Sequence, residues 1–422
     1  MRVSPEEQVA ILMRGTKFAD ESAEFGDPGG ESVLRKRCQA ELLARIKSAA
    51  KEGRPLRVYL GVDPTRESLH IGHMVPAQKL RQFQELGHQA IFLIGDYTAR
   101  IGDPTGQSRE RAEISGEAID RMAQLYTEQA FKLLDREKTE IRFNGEWLAK
   151  LSFEQIIDIA KIFPFKRIIS RRDFQIRLES DEEFRFHEAL YALMQGYDAY
   201  VLRCDVQIGA YDQHLNMLAG RTVQEHYGDP PHVMLTMPIL AGTDGRKMSK
   251  SWGNTIDLLD APEDMYGKCM RISDDLLPQY IELACDFSAA EKDALLARLE
   301  SGENPMNVKK EVAWKVTRQY NGKEAADRAA EHFRATVQEK TADEDAPTIK
   351  VGPEWLDGSR TLFEFIVEHK LFDGSNRELR RLFEQGGVKL GEAAVSDSKS
   401  AMPDELPAVV RIGKRGFFRL AR

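Results

Sequence analysis

The chain has 422 residues, 42% hydrophobic and 30% charged, with a formal net charge of −8. That length supports two or three domains around a substantial core. No apolar run approaches the ~18 residues a membrane span needs, and the start Met1-Arg2-Val3-Ser4-Pro5 is too polar for a signal peptide. The four cysteines, Cys38, Cys204, Cys269 and Cys285, are widely spaced with no Cys-x-x-Cys pair, which argues against a disulfide framework or a zinc site. A cytoplasmic protein with no membrane partner and no metal site of its own is expected.

In chain order, Ser4-Pro5-Glu6-Glu7 is a capping box with proline at the first helical position, so a helix should begin there. Phe25 to Gly30 reads as a loop and Glu31 to Lys51 as a second helix. This arm, residues 1–54, carries no assigned chemistry. Leu56 to Val62 is then a short apolar, β-branched run, the pattern of a buried parallel strand. Asp63-Pro64-Thr65 turns the chain, Leu69-His70-Ile71-Gly72-His73 follows, and Met74 to Leu86 has helical spacing ended by Gly87. Gln89 to Ile94 is a second strand, so strand, turn, helix and strand make half of a nucleotide-binding α/β fold. His70 and His73, three apart, fall on one face of a first helical turn, where backbone N–H groups and the helix dipole favour phosphate oxygens. Gly72 between them leaves room for a flat base. Taken alone, the two histidines would read as ordinary helix caps.

Tyr97 to Gly106 is a loop punctuated by glycine and proline at the carboxyl end of a strand, the edge where open α/β sheets bind ligands. Asp103 either starts a turn before Pro104 or faces a ligand. Ser115 to Glu137 reads as connecting helices and Glu140 to Phe143 as a short strand. In the helix from Phe184 to Asp198, Tyr191, Gln195 and Asp198 share one face, while Leu190, Ala192, Leu193, Met194, Gly196 and Tyr197 make the flanks apolar or small. A helix buried on its other sides must turn such a polar stripe toward something polar inside, and a ligand is the natural candidate. Asp205 to Gln213 and the loop Ala241 to Asn254, with Lys247-Met248-Ser249-Lys250-Ser251 at its centre, complete the informative stretches. By itself that last segment would read as a solvated basic turn.

Leu-His-Ile-Gly-His after a first strand, paired with Lys-Met-Ser-Lys-Ser far downstream, resembles the two signatures of the class I aminoacyl-tRNA synthetases. The resemblance implies ATP as a substrate, with Mg²⁺ carried on it, and an ATP site formed by Asp63, Thr65, His70, Gly72, His73, Asp212, Lys247 and Lys250. His70, His73, Thr65, Lys247 and Lys250 would be its catalytic members. Ile-Gly-Asp-Pro-Thr-Gly around Asp103 and Tyr-x-x-x-Gln-x-x-Asp at Tyr191, Gln195 and Asp198 look like motifs of the bacterial tyrosyl-tRNA synthetases. They imply that Asp103, Tyr191 and Gln195 hold the amino group of L-tyrosine, Gln213 lies near its carboxylate, and Tyr59 and Asp198 meet its phenol hydroxyl. Family members commonly carry Gly-Gly-small-Asp-Gln where this chain has Gly209-Ala210-Tyr211-Asp212-Gln213. Ala210 and Tyr211 depart from that pattern at a place of close backbone approach.

From Thr255 the chain turns to helical patterning over Pro262–Met270, Asp274–Cys285, Asn304–Gln319 and Glu324–Thr336, and Thr341 to Pro347 reads as a linker. Residues 359–422 hold 12 Lys and Arg against 9 Asp and Glu, about +3, so the rest of the chain carries −11. This sign asymmetry points to the tail as a nucleic-acid contact. Arg377, Arg380 and Arg381 share helical spacing, and Lys389, Lys414 and Arg415 could extend a phosphate-binding patch; a solvated helix face would look similar.

The expected architecture is thus an α/β chain: an arm (1–54), a Rossmann-like parallel-sheet catalytic domain with a connecting insertion (55–256), an α-helical anticodon-binding domain (257–340), a linker (341–358) and a small α+β S4-like RNA-binding domain (359–422). The resemblance implies a homodimer that charges tRNA with tyrosine. Two alternatives stand beside it, a non-catalytic RNA-binding paralogue and another nucleotidyltransferase of the same superfamily.

Overall fold

The computed structural model describes residues 3–18, 31–105, 114–169, 172–180, 185–249, 252–338, 347–356, 360–372, 374–391, 393–403, 406–413 and 416–422. The chain divides into two compact units, Met1–Ala330 and Glu331–Arg422. Among the described residues no helix is long and apolar enough to cross a membrane.

The first unit opens with α1 (Pro5–Met13), whose Ser4–Glu7 capping box is formed, and α2 (Glu31–Lys51). Then come β1 (Arg57–Val62), α3 (Met74–Glu85), β2 (Gln89–Ile94), α4 (Gly116–Ala130) and β3 (Thr139–Phe143). After β3 the chain runs through α5 (Gly145–Leu148), α6 (Phe153–Lys161), α7 (Phe165–Ile169), α8 (Arg172–Glu179) and α9 (Phe186–Val201). It then returns to the sheet as β4 (Val206–Ala210), α10 (His214–His226) and β5 (Val233–Met237).

The sheet is parallel throughout, in the order β3-β2-β1-β4-β5. Its centre is nearly continuous apolar sequence, Val58-Tyr59-Leu60 on β1 and Ala90 to Ile94 on β2, all buried, as strands covered on both faces require. Building outward from β1 to β2 and β3, and then restarting beside β1 with β4, reverses the strand order. The crevice that opens at such a reversal lies at the carboxyl ends of β1 and β4. Gly61, although in this central strand, is exposed, which marks the crevice floor.

α3 packs Met74, Val75, Ala77, Leu80 and Phe83 inward, each large side chain contributing about 2 kcal/mol of burial. It stops at Gly87, whose φ of +89° suits a left-handed cap. The helix begins one residue after His73, so His70 sits in the preceding turn and not, as the spacing suggested, in the first helical turn.

The helical stretch α11 (Pro262–Met270), α12 (Leu277–Leu283), α13 (Ala289–Glu300), α14 (Pro305–Asn321) and most of α15 (Lys323–Phe333) belong to the same compact unit as the sheet, which ends at Ala330. α13, capped by Ser288 and Glu291, was not read from the sequence.

The second unit has β6 (Thr348–Lys350), α16 (Leu362–Glu368), α17 (Asn376–Glu384), β7 (Val388–Leu390), β8 (Ala393–Ala394), β9 (Ala408–Ile412) and β10 (Gly416–Ala421). Its sheet order is β6-β10-β9-β7-β8. The linker expected over 341–358 is corrected here: β6 pairs in parallel with β10, and Val351 and Trp355 lie in this unit's core with Phe365, Phe383 and Leu420. Residues 341–346 lie outside the described residues.

Candidate active site

Asp63 leaves the carboxyl end of β1 and is the hub of the crevice. Its Oδ1 accepts from Thr98 Oγ1 at 2.8 Å and its Oδ2 from the Tyr191 hydroxyl at 3.0 Å. Gly95, at the end of β2, makes this possible by close approach, since a Cβ there would stand 2.0 Å from Asp63 Oδ1 and 2.4 Å from Thr98 Oγ1. Asn144, directly after β3, donates from Nδ2 to Thr98 Oγ1 at 3.0 Å and to Asp198 Oδ2 at 3.2 Å. Trp147 Nε1 donates to Asp198 Oδ1 at 2.8 Å. Two of the helical stripe's three residues, Tyr191 and Asp198, are therefore joined in one continuous network, Tyr191, Asp63, Thr98, Asn144, Asp198, Trp147. Gln195, between them, is half-buried.

Asp198 is 2% exposed, and burial pushes its carboxyl up to about 7 against the opposing hydrogen bonds from Trp147 and Asn144. Tyr59, 1% exposed, shares an apolar cluster with Trp147, and its hydroxyl is buried with no hydrogen bond among the described residues. Such a group costs about 1–3 kcal/mol until something polar meets it. A second pairing lies nearby: Gln213 Nε2 donates to Asp103 Oδ2 at 2.7 Å, while Asp103 Oδ1 accepts the Thr105 N–H at 2.9 Å. The turn reading of Asp103 is met by its Oδ1, and its Oδ2 is paired with Gln213.

The histidine segment is tied down from two directions. α4 contributes buried Gln129, whose Oε1 accepts the Leu69 N–H at 2.8 Å and whose Nε2 donates to the Glu67 carbonyl at 2.9 Å. On the other side the Ile71 N–H donates to the Ile256 carbonyl at 3.0 Å, and the Leu258 N–H to the Leu69 carbonyl at 2.9 Å. The two imidazoles stack with centroids 3.7 Å apart. His73 Nδ1 accepts the His70 N–H at 3.2 Å, so the proton of a neutral His73 is on Nε2, a donor on an exposed ring. A Cβ on Gly72 would reach to 3.0 Å from His70 Nδ1, so glycine here first makes room for the His70 ring.

Lys247 Nζ lies 3.4 Å from Asp212 Oδ2, just beyond β4. Burial raises the Asp212 carboxyl above its ordinary range, and Lys247 opposes it. Met248, 5% exposed, is turned toward Gly72, its sulfur 3.6 Å from where a Cβ would stand. The two motifs, some 175 residues apart, therefore meet. Thr65 lies in the turn between them and β1, and its N–H donates to the Asp63 carbonyl at 2.9 Å. Lys250 lies outside the described residues.

Among the described residues no group of three or more His, Cys, Asp or Glu is placed to hold a metal ion. In the second unit Arg377, Arg380 and Arg381 are exposed on α17, and Lys389 is half-buried on β7. Lys414 and Arg415 lie outside the described residues.

Thr98, Asn144, Trp147 and Gln129 were missed by the sequence reading. Asn144 carried a usable signal, a polar residue directly beyond the carboxyl end of a parallel strand. Thr98 shared that signal within the loop from Tyr97 to Gly106, whereas Trp147 and Gln129 carried none, because their roles depend on contacts between elements distant in sequence.

Residues 51–338 match the model of the class I tRNA synthetases (W and Y). The chain is 39% identical over 421 residues to the tyrosine–tRNA ligase of Thermotoga maritima, covering 99% of this chain and 98% of that one. It is 40% identical over 385 residues to that of Carboxydothermus hydrogenoformans, covering 90% and 94%. Among solved structures, a tyrosyl-tRNA synthetase complexed with L-tyrosine from Archaeoglobus fulgidus aligns with a TM-score of 0.59 at 22% identity, over 78% of this chain and 100% of that chain. At that identity the likeness speaks for the fold alone. With both signature motifs joined in one crevice and relatives matched over nearly their whole length, the chain belongs to the class I tRNA synthetases, in the tryptophan and tyrosine group.

Proposed function

We propose that this chain is a tyrosine–tRNA ligase, which activates L-tyrosine with ATP to tyrosyl-adenylate and pyrophosphate and then passes tyrosine to the terminal adenosine of tRNA. The observation that carries the choice of amino acid is the buried Tyr59 hydroxyl, without a hydrogen-bond partner among the described residues and within electrostatic reach of the buried Asp198 carboxyl. A phenol hydroxyl would satisfy Tyr59 and add a third hydrogen bond to Asp198, which Trp147 and Asn144 already meet, whereas phenylalanine would leave the Tyr59 hydroxyl unmet. Tyr191, Gln195, Asp103 and Gln213 take the amino and carboxylate end.

Activation needs no protein nucleophile. The tyrosine carboxylate attacks the α-phosphorus, the bond to the β-phosphate oxygen breaks, and pyrophosphate leaves. The protein positions the reactants and stabilises charge developing on phosphate oxygens. His73 donates from Nε2, while His70, Thr65, Lys247 and Lys250 line the same phosphates, with Asp63, Gly72 and Asp212 completing the ATP site. Mg²⁺ enters on ATP, held by phosphate oxygens as is usual for this ion.

α11 to α15 would take the anticodon region. The second unit would take RNA through Arg377, Arg380, Arg381 and Lys389, with Lys414 and Arg415 extending that patch. The enzyme works as a homodimer in the cytoplasm. Support for the dimer comes from exposed Phe153, Ile157, Phe165, Ile176, Leu178 and Phe186, an excess of apolar surface within 153–186 of the kind that marks interfaces. The large apolar residues of α4, by contrast, are turned inward.

ATP–pyrophosphate exchange with tyrosine, phenylalanine and tryptophan offered separately tests the reading. Exchange with tyrosine alone is expected. No exchange with any of the three, from folded protein that binds RNA, would move the assignment to a non-catalytic paralogue.

A further inference from the structure

Trp252 is 50% exposed, an unusual placement for so large an apolar ring. It stands five residues after Lys247, and the Arg246 guanidinium lies over its ring, 4.5 Å from the centroid. That guanidinium is fixed in turn. Its Nε and Nη2 donate to Asp244 Oδ2 at 2.8 and 2.5 Å, and Asp244 Oδ1 accepts from Asn254 Nδ2 at 2.7 Å. Asn254 also accepts the Ser249 N–H at 2.7 Å, and the Trp252 N–H donates to the Ser249 carbonyl at 3.1 Å. The result is a flat, braced aromatic and guanidinium stack on the loop that carries Lys247.

The loop has two sides. Met248 is buried toward Gly72 and the histidines, on the side of the ATP site, whereas Trp252 is open to solvent. A planar ring of this kind suits a nucleobase, because every base has a face to stack and stacking tolerates any sequence. Arg246 is already paired with Asp244, so the attraction would be stacking and not charge. The substrate that arrives from the solvent side after adenylate has formed is the single-stranded end of the RNA.

We propose that the Trp252–Arg246 stack receives an unpaired base near the 3′ end of the tRNA during the transfer step, an inference that rests on the ligase reading above. The test compares Trp252→Ala and Trp252→Phe with the unaltered protein in two assays, ATP–pyrophosphate exchange with tyrosine and charging of tRNA. Trp252→Ala should raise the KM for tRNA by about tenfold or more, with a much smaller change in exchange, and Trp252→Phe should recover most of the loss. The dependence of tRNA binding on salt should keep its slope, since no phosphate contact is removed. An unchanged KM for tRNA would overturn the proposal. A rise confined to the KM for ATP would give the ring to the adenine of ATP instead. Equal losses in both assays would reduce Trp252 to a brace for its loop. Failure of the unaltered protein to exchange with tyrosine would strike the ligase reading itself, before any variant is compared.

Discussion

The two ends of the crevice are built on opposite plans. Around Asp198 all the groups but half-buried Asp63 are buried, and most are already bonded to one another: Trp147 and Asn144 to Asp198, Thr98 and Tyr191 to Asp63. Lys247 by contrast stands in the open, its side chain 60% exposed and linked to Asp212 over 3.4 Å. On the function proposed above, preorganisation at the first end would exclude a wrong amino acid before any chemistry begins. The long, solvated Lys247 at the second end would meet phosphates only once ATP is bound, so on that reading selection and rate would reside in separate parts of one cleft.

That division can be broken from either side. Lys247→Ala should have the largest effect on rate, slowing adenylate formation by about 10² to 10³ with little loss of tyrosine affinity; stopped-flow or exchange kinetics beside equilibrium tyrosine binding would show it, and the reverse outcome would defeat the division. Asp198→Ala should leave the lysine end intact and abolish the preference for tyrosine over phenylalanine, read as the ratio of kcat/KM in exchange. Gly95→Ala should force Asp63 and Thr98 apart and raise the KM for tyrosine, with about 1–3 kcal/mol of stability lost in denaturant melts as the network opens. Trp147→Phe should be milder, about 1 kcal/mol of tyrosine affinity for one lost donor.

The pH dependence sharpens the same comparison. Asp198 has its carboxyl raised from about 3.8 to about 7, so it is mostly protonated at pH 6 and mostly ionised at pH 8. If the carboxylate accepts the phenolic O–H, tyrosine affinity should rise across that interval and level off above it. Trp147→Phe removes a bond that favours the ionised form, so the midpoint should move to higher pH. Asp198→Asn should flatten the curve, and a curve that persisted would mean another group controls it.

Most of the sheet's first half was legible because β1, α3 and β2 each repeat a local pattern: a short apolar run, helical spacing and a glycine stop. The site was legible where a motif concentrated it, as at His70, Asp103, Tyr191 and Lys247. Sequence misled where local pattern and tertiary pairing compete. His70 has helical spacing to His73, yet its backbone is drawn into a bridge with Asp257, which keeps it out of the helix. Thr348 to Lys350 look like linker because three residues carry too little pattern, and only β10, some 70 residues later, makes them a strand. Trp147 reads as an ordinary core residue until its indole N–H is seen on Asp198.

The clasp of Ile256 and Leu258 on Leu69 and Ile71 also has a consequence for the order of synthesis. A nascent chain that has emerged only through β5 has its first strands and both histidines, but it lacks the carbonyl and the N–H that fix their turn. The phosphate end of the cleft can take its finished form only after more than half the polypeptide has been made. A ribosome that stalls earlier would display a nucleotide fold whose histidine segment is held by Gln129 alone.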